Sequence, residues 1–213
     1  MGVAREVVTQ NREQIIAAAE RLFRAKGADA VGLNELMAAA GLTRGGFYNH
    51  FASKDALVEA VIARAMANGW SSLDAAITDA EANGRDAVLE QMTYYLSPRH
   101  RDDIEHGCSN AGFAGEAPRL SGPGQQRYTD GFARNLDRFT AAFEARPDLD
   151  RAAARAAAVA VFSQMVGALL LSRAVADVDP ALADEILDEG RQHLLAAVDT
   201  QPEAQPRGRS RRR

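Results

Sequence analysis

No stretch of this sequence alternates apolar and polar residues with the period of two that a half-buried strand requires. Apolar residues recur instead at helical spacing along most of it, in segments rich in Ala, Leu, Arg and Glu. The expectation is an all-α fold of about nine helices. Asn11 with Gln14 resembles a capping box that opens a helix carrying Ile15, Ala19, Leu22 and Phe23, and Gly27 stops it. Short helices are expected over Leu33–Ala40 and, with Thr43 as N-cap, over Arg44–Phe51. Ser53 caps a longer helix that carries Leu57, Val61 and Ile62 past Trp70, and Asn83-Gly84 marks a turn. Further helices are read over Arg85–Leu96, around Cys108 and over Gln125–Glu144, with Pro118 and Ser121-Gly122-Pro123-Gly124 as loop. Two strong helices close the chain, over Leu149–Val175 and Pro180–Val198.

A hydrophobic fraction of 46% lets a chain of 213 residues bury a proper core. The single cysteine, Cys108, excludes an internal disulfide and fits a reducing, cytoplasmic setting. Near the start, Arg5 and Glu6 break the apolar residues, and no secretory core follows. The longest apolar stretch, between Arg155 and Arg173, carries Ser163 and Gln164 and reads as a buried helix rather than a membrane span.

The net charge of −4 is unevenly spread. Residues 1–64 hold 8 Arg and Lys against 7 Asp and Glu, residues 65–199 hold 12 against 21, and residues 200–213 hold 5 against 1. An acidic body repels phosphate, so any contact with nucleic acid falls to the first third or the tail. From Pro202 on, Pro, Gly, Ser and Arg replace apolar residues, and the tail is expected to be disordered.

Residues 31–57 carry the functional signal. Two short helices joined at Gly41-Leu42 have the spacing of a helix-turn-helix, whose second helix enters the major groove of DNA. Leu33, Leu36, Leu42, Phe47 and Phe51 are spaced to face a core with Leu22 and Phe23. The other face shows Thr43, Arg44, Gly45, Tyr48, Asn49 and His50, hydrogen-bonding groups without an acid. Gly45 and Gly46 each cost a helix roughly 1 kcal/mol relative to alanine, which suggests close backbone approach by DNA. A loose turn is the alternative.

The run Ala40-Gly41-Leu42-Thr43-Arg44-Gly45-Gly46-Phe47-Tyr48-Asn49-His50-Phe51, followed by Ser53-Lys54-Asp55-Ala56-Leu57, resembles the DNA-binding domain of the tetracycline-repressor (TetR) family of bacterial regulators. The resemblance covers about a quarter of the chain. It implies a three-helix DNA-binding domain over residues 1–52, a helical ligand-binding and dimerisation domain over 53–199, and a basic tail over 200–213. By position it places Arg44 and Gly45 at base edges, where an arginine reads guanine O6 and N7. Gly46 offers only its backbone there. The resemblance puts Tyr48, His50, Thr43, Asn34 and Lys54 at phosphates, Lys54 being one of two lysines in the protein. Gly32 stands where a Ser or Thr cap is usual, and Met37 replaces a common small residue.

The resemblance further implies a homodimer on palindromic double-stranded operator DNA, released when a small molecule shifts the spacing of the two recognition helices. Dimerisation is assigned to the last two helices through Phe162, Met165, Val166, Leu169 and Leu170, with a core helix of one subunit as the alternative. Trp70, Met92, Tyr95, Cys108, Phe113, Tyr128, Phe132 and Gln164 are the candidate ligand contacts, although each also suits ordinary core packing. Cys108 follows Gly107 near an expected helix start, where the backbone dipole favours an anion, and His106 lies close. The arrangement resembles a subset of the family that senses electrophiles or oxidants; an inert buried cysteine is the other reading. The inducer is therefore expected to be small and either apolar or electrophilic.

Other classes find less support. His100, Asp102, His106 and Cys108 match no standard zinc spacing, so no metal or cofactor is expected. No phosphate-cradling glycine loop, metal-helix motif or nucleophile elbow points to an enzyme. A DNA-binding activator or architectural factor without a ligand remains the alternative function.

Overall fold

The computed structural model describes residues 2–146 and 149–199, and the basic tail lies outside them. Nine α-helices and two short 3-10 helices make up the regular structure of the described residues. Helices α1 (Gly2–Lys26), α2 (Leu33–Ala39) and a 3-10 helix (Arg44–Asn49) form the N-terminal unit, and α3 (Lys54–Ala82) leads out of it. The body consists of α4 (Ala87–Tyr95), α5 (Pro98–Asp102), α6 (Ser109–Ala114), α7 (Gly122–Glu144), α8 (Arg151–Val175) and α9 (Pro180–Asp199). A second 3-10 turn, Ala117–Arg119, precedes α7.

Side-chain caps account for most helix starts. Ser53 accepts from the Ala56 amide at 3.1 Å, Asp86 from Val88 and Leu89, and Asp150 from Ala153. Gly41, at φ +71°, makes the tight turn after α2 in a conformation that a side chain would strain.

Three local expectations are corrected. Helix α1 begins at Gly2, so Asn11 and Gln14 lie inside it, and Val7 and Val8 stand exposed on its leading turns. Propagation outward from a packed segment needs no second nucleus, which is why the internal cap pattern does not end the helix. Ser121-Gly122-Pro123-Gly124 opens α7: Ser121 caps it, and Pro123, in the first turn, has no amide to lose. The helix expected around Cys108, over residues 102–117, shortens to α6, and residues 103–107 form a turn between α5 and α6.

Two cores form. Ile15, Phe23, Leu36, Met37, Phe47 and Phe51 join Leu57, Val61, Ile62 and Met66 from the first half of α3, and α6 contributes Phe113. Ile77 and Ala80 from the far half of α3 join Met92, Phe139, Phe143, Phe162, Met165 and Leu187 in the other. Helix α3 therefore belongs to both cores, and α7 packs along it. By length and composition α8 could cross a membrane, but Ala154, Ala158, Val161, Phe162, Met165 and Leu169 are buried in the body against α7 and α9.

Candidate functional site

Two places concentrate unusual chemistry: the surface after Thr43, and a cavity between the N-terminal unit and the body.

The segment expected to be an α-helix through Phe51 is instead a 3-10 helix ending at Asn49. A run of six residues with two adjacent glycines lacks the length and propensity for a full α-helix. Phe47 anchors it at 0% exposure, edge-on to Tyr48 and stacked on Phe51. Fully buried Met37 packs near Gly46, so the larger residue in α2 is absorbed by the core. Around this anchor Asn34, Thr43, Arg44, Gly45 and Asn49 are exposed, and Tyr48 is 69% exposed. Lys54, Gly46 and His50 are half-buried. Among the described residues, the side chains of Asn34, Thr43, Arg44, Asn49 and Lys54 make no hydrogen bond or ion pair within the chain. The His50 Nδ1 atom is buried without a partner. A Cβ placed on Gly45 would meet only open space, so the fold itself does not require glycine there.

The cavity measures about 660 Å³, within the range of small-molecule sites. Its walls come from both units. Glu20, Arg21 and Arg24 of α1 face Leu73 of α3, Tyr94 and Tyr95 of α4, residues 105–110, Asn135 and Phe139 of α7, and Phe162 and Met165 of α8. Arg24 crosses the boundary. It donates to Gly107 O at 2.7 Å, to Ser109 Oγ at 2.9 Å and to Glu20 at 2.9 Å, and its guanidinium lies 5.2 Å over the Phe113 ring. Ser109 in turn donates to Ala65 O on α3 at 2.6 Å.

His100 and Arg173 hold the turn before Cys108. His100 Nδ1 donates to Tyr95 O at 2.9 Å, and Nε2 accepts from the Cys108 amide at 3.1 Å, which requires the neutral ring with its proton on Nδ1. Burial lowers the His100 pKa; the nearby Arg173 lowers it too, against the bond to Tyr95 O. With both nitrogens engaged, His100 is not free to ligate a metal. Arg173 donates to the carbonyls of Arg101, His100 and Asp103. Gly107 fits because it lacks a side chain: a Cβ there would lie 2.5 Å from Asp103 O. Cys108, half-buried, occupies the N-cap of α6 and accepts weakly from Asn110 Nδ2 at 3.7 Å. With only six residues, α6 supplies a weaker dipole than the expected longer helix. Exposed His106 turns to Asp103, 3.0 Å from its carboxylate.

Of the candidate ligand contacts, Tyr95 and Cys108 line the cavity, and the other six do not. Trp70 stacks under Arg134 at 3.5 Å. Met92 is in the body core, and Phe113 is in the N-terminal core. Tyr128 donates to Asn110 O at 3.0 Å, and burial pushes its pKa up to about 12. Phe132 packs between Tyr128 and Phe162, and Gln164 is half-buried on α8. Sequence reasoning missed Arg24, Asn110 and Asn135. Asn135 had a legible signal, a polar residue on the otherwise buried stripe of Phe139, Ala142 and Phe143. Of the residues assigned to a dimer seam, Phe162, Met165 and Leu169 are buried in this chain's own core, Val166 is half-buried and Leu170 is exposed.

A model of the bacterial regulatory proteins of the tetR family matches residues 15–61, the segment that carries α1, α2, the 3-10 helix and the start of α3. Residues 15–61 therefore carry the tetR-family signature. The chain is 30% identical over 110 residues to the HTH-type transcriptional repressor NemR of Escherichia coli, a match covering 52% of this chain and 55% of NemR. It thus spans about half the length of that curated relative. The crystal structure of reduced E. coli NemR superposes with a TM-score of 0.70 at 23% identity, covering 86% of this chain and 95% of NemR. A TetR transcriptional regulator from Chloroflexus aurantiacus gives 0.73 at 20% identity, covering 92% and 98%. At such identities the structural likenesses establish the fold: an N-terminal helix-turn-helix unit followed by a helical body.

Proposed function

We propose that this chain is a cytoplasmic, homodimeric repressor of the tetR family that binds palindromic operator DNA and releases it when a small molecule occupies the cavity. The observation that carries this reading is the cluster Thr43, Arg44, Tyr48 and Asn49: exposed, free of acidic neighbours in its segment, and mounted on buried Phe47. Such groups donate to phosphates and base edges, and Arg44 suits the paired acceptors of guanine. The open space around Gly45 leaves room for close approach of a DNA strand.

The cavity supports release by ligand rather than binding of DNA alone. Because α1 and the body both wall it, an occupant touches the reading unit and the dimerising unit together. An occupant that prefers a different spacing between them shifts the population away from the DNA-competent pair. On the outer side of α8, Val159, Leu170 and Leu171 stay exposed with Gly167 between them, an apolar strip suited to the same strip of a second subunit.

Titrating labelled DNA from the chain's own upstream region tests the reading. Arg44→Ala is expected to weaken specific binding about 10- to 100-fold without lowering the melting temperature. Equal binding by both proteins would remove the recognition role from this segment. A second reading rests on Cys108, whose thiol opens on the cavity. Its thiolate would add to the β-carbon of an unsaturated carbonyl compound while the α-carbon takes up a proton. If Cys108→Ala still releases DNA fully when treated with such a compound, this reading fails.

A further inference from the structure

Residues that line the cavity carry buried polar atoms left unpaired among the described residues. Asn110 and Asn135 are 4% and 1% exposed, and the Oδ1 of each is buried without a hydrogen-bond partner. Among the described residues Arg24 Nε is likewise without one. The Tyr95 hydroxyl meets the Cys108 sulfur but no nitrogen or oxygen partner among the described residues, and burial raises its pKa well above the ordinary value. All four residues line the same cavity. Buried polar groups are satisfied in nearly all native proteins, so an unsatisfied group in a cavity wall points to a partner supplied from outside.

The charges on the wall are, by contrast, already matched. Arg24 pairs with Glu20 at 2.9 Å, Arg64 with Glu20 and Glu13 at 3.6 and 3.4 Å, and Arg21 with Glu105 at 4.0 Å. The remaining lining carboxylate, Glu90, pairs with Arg85 at 2.7 Å. No lining arginine is left over for an anion and no lining glutamate for a cation. The rest of the wall is largely aromatic and apolar, chiefly Tyr94, Phe139, Phe162, Leu73 and Met165, with the uncharged polar residues Asn68, Ser72 and Gln91 among them.

We infer that the cavity selects an uncharged aromatic molecule bearing a hydroxyl group. The ring replaces water against the apolar wall. The hydroxyl hydrogen goes to an asparagine Oδ1, and the hydroxyl oxygen accepts from Tyr95 or Arg24 Nε. One hydroxyl thus meets both kinds of unpaired atom, which an ether, an anion or a plain hydrocarbon does not. A site built to hydrogen-bond a hydroxyl discriminates strongly against the analogue that lacks it, because its own buried groups then stay unpaired.

This inference rests on the cavity being the effector site proposed above. Calorimetry on the whole chain without DNA, with 1-naphthol, 1-methoxynaphthalene and 1-naphthoate as probes, tests it separately. The expected result is 1-naphthol binding at least tenfold tighter than 1-methoxynaphthalene, about 1.4 kcal/mol, with 1-naphthoate weakest. In Asn135→Leu the preference for 1-naphthol over its methyl ether should shrink severalfold while the melting temperature holds or rises, since an unpaired buried amide is replaced by an apolar group of similar size. Equal affinities, tightest binding of 1-naphthoate, or no binding of any probe overturns the inference. The probe comparison on the unaltered chain decides even if Asn135→Leu does not fold. Selective 1-naphthol binding by a chain that ignores operator DNA would sink the repressor reading and leave the ligand class standing. Operator release by a charged inducer that binds this cavity would do the opposite.

Discussion

Arg24, on the first helix, donates to the carbonyl oxygen of Gly107 at 2.7 Å, one residue before the cysteine that opens on the cavity. This bond joins the N-terminal unit to the wall of the cavity. The Arg24 side chain is 3% exposed and pairs there with Glu20, itself 13% exposed.

Arg24→Leu is therefore expected to cost about 2 kcal/mol, because it leaves the Gly107 carbonyl without its partner and Glu20 with only the longer contact to Arg64 at 3.6 Å in a poorly solvated place. Urea denaturation measures the loss. Adding Glu20→Leu should return part of it, as the weakly paired carboxylate is then gone. A loss below about 0.5 kcal/mol would mean that the bond does not tie the units together.

Gly107→Ala brings a methyl group to about 2.5 Å from Asp103 O and 2.9 Å from Arg173 Nη2. Arg173 can swing aside but the backbone carbonyl cannot, so the turn must shift. We expect a loss of about 1–3 kcal/mol, read from thermal or chemical unfolding. Displacement of Cys108 should change the rate of its alkylation by iodoacetamide. An unchanged rate with unchanged stability would show that the turn yields freely.

Stability should fall on mild acidification through His100. Its folded-state pKa lies below the ordinary 6.5, chiefly because it is buried. Below pH 6.5 the unfolded chain binds a proton that the folded chain resists, so the unfolded state carries more protons and stability rises with pH. This contribution is fully present above 6.5 and declines as pH drops from there towards the folded value. Protonating Nε2 also forfeits the bond from the Cys108 amide. Unfolding curves for the parent and His100→Gln between pH 7 and pH 5 test this, and the variant should lose less stability over that span. Parallel curves would assign the acid sensitivity elsewhere.

Leu171 is 62% exposed on α8, beside exposed Leu170. Leu171→Arg touches no core contact, so its intrinsic stability should stay within about 0.5 kcal/mol of the parent. Sedimentation should nevertheless show monomers where the parent is expected to sediment as a dimer, and operator binding should weaken with it. A dimeric Leu171→Arg protein would move the interface away from this strip.

The helical architecture and the exposed face after Thr43 were legible because both depend on local order. Phe47 and Phe51 announce a buried side by spacing alone, and Tyr48 and Asn49 between them face out while His50 is half-buried. The cavity was far less legible. Phe113 and Tyr128 look like pocket aromatics, yet Phe113 fills the N-terminal core and the Tyr128 hydroxyl is taken up by Asn110 O. Arg24 looks like one more surface arginine on an amphipathic helix. Its partners lie 83 and 85 positions away, a separation that no local pattern encodes.

Order and spacing along the chain were enough to determine the helices, the turn at Gly41 and the uncharged run of α8. Each of these depends on a few neighbouring residues and on backbone geometry. Only the packed structure decided that α3 serves two cores, that Phe162 and Met165 face inward to a cavity, and that Asn110 and Asn135 are left with unpaired oxygens there. Those outcomes depend on which helices meet and at what distance, and burial and hydrogen-bond satisfaction exist only once distant segments are in contact.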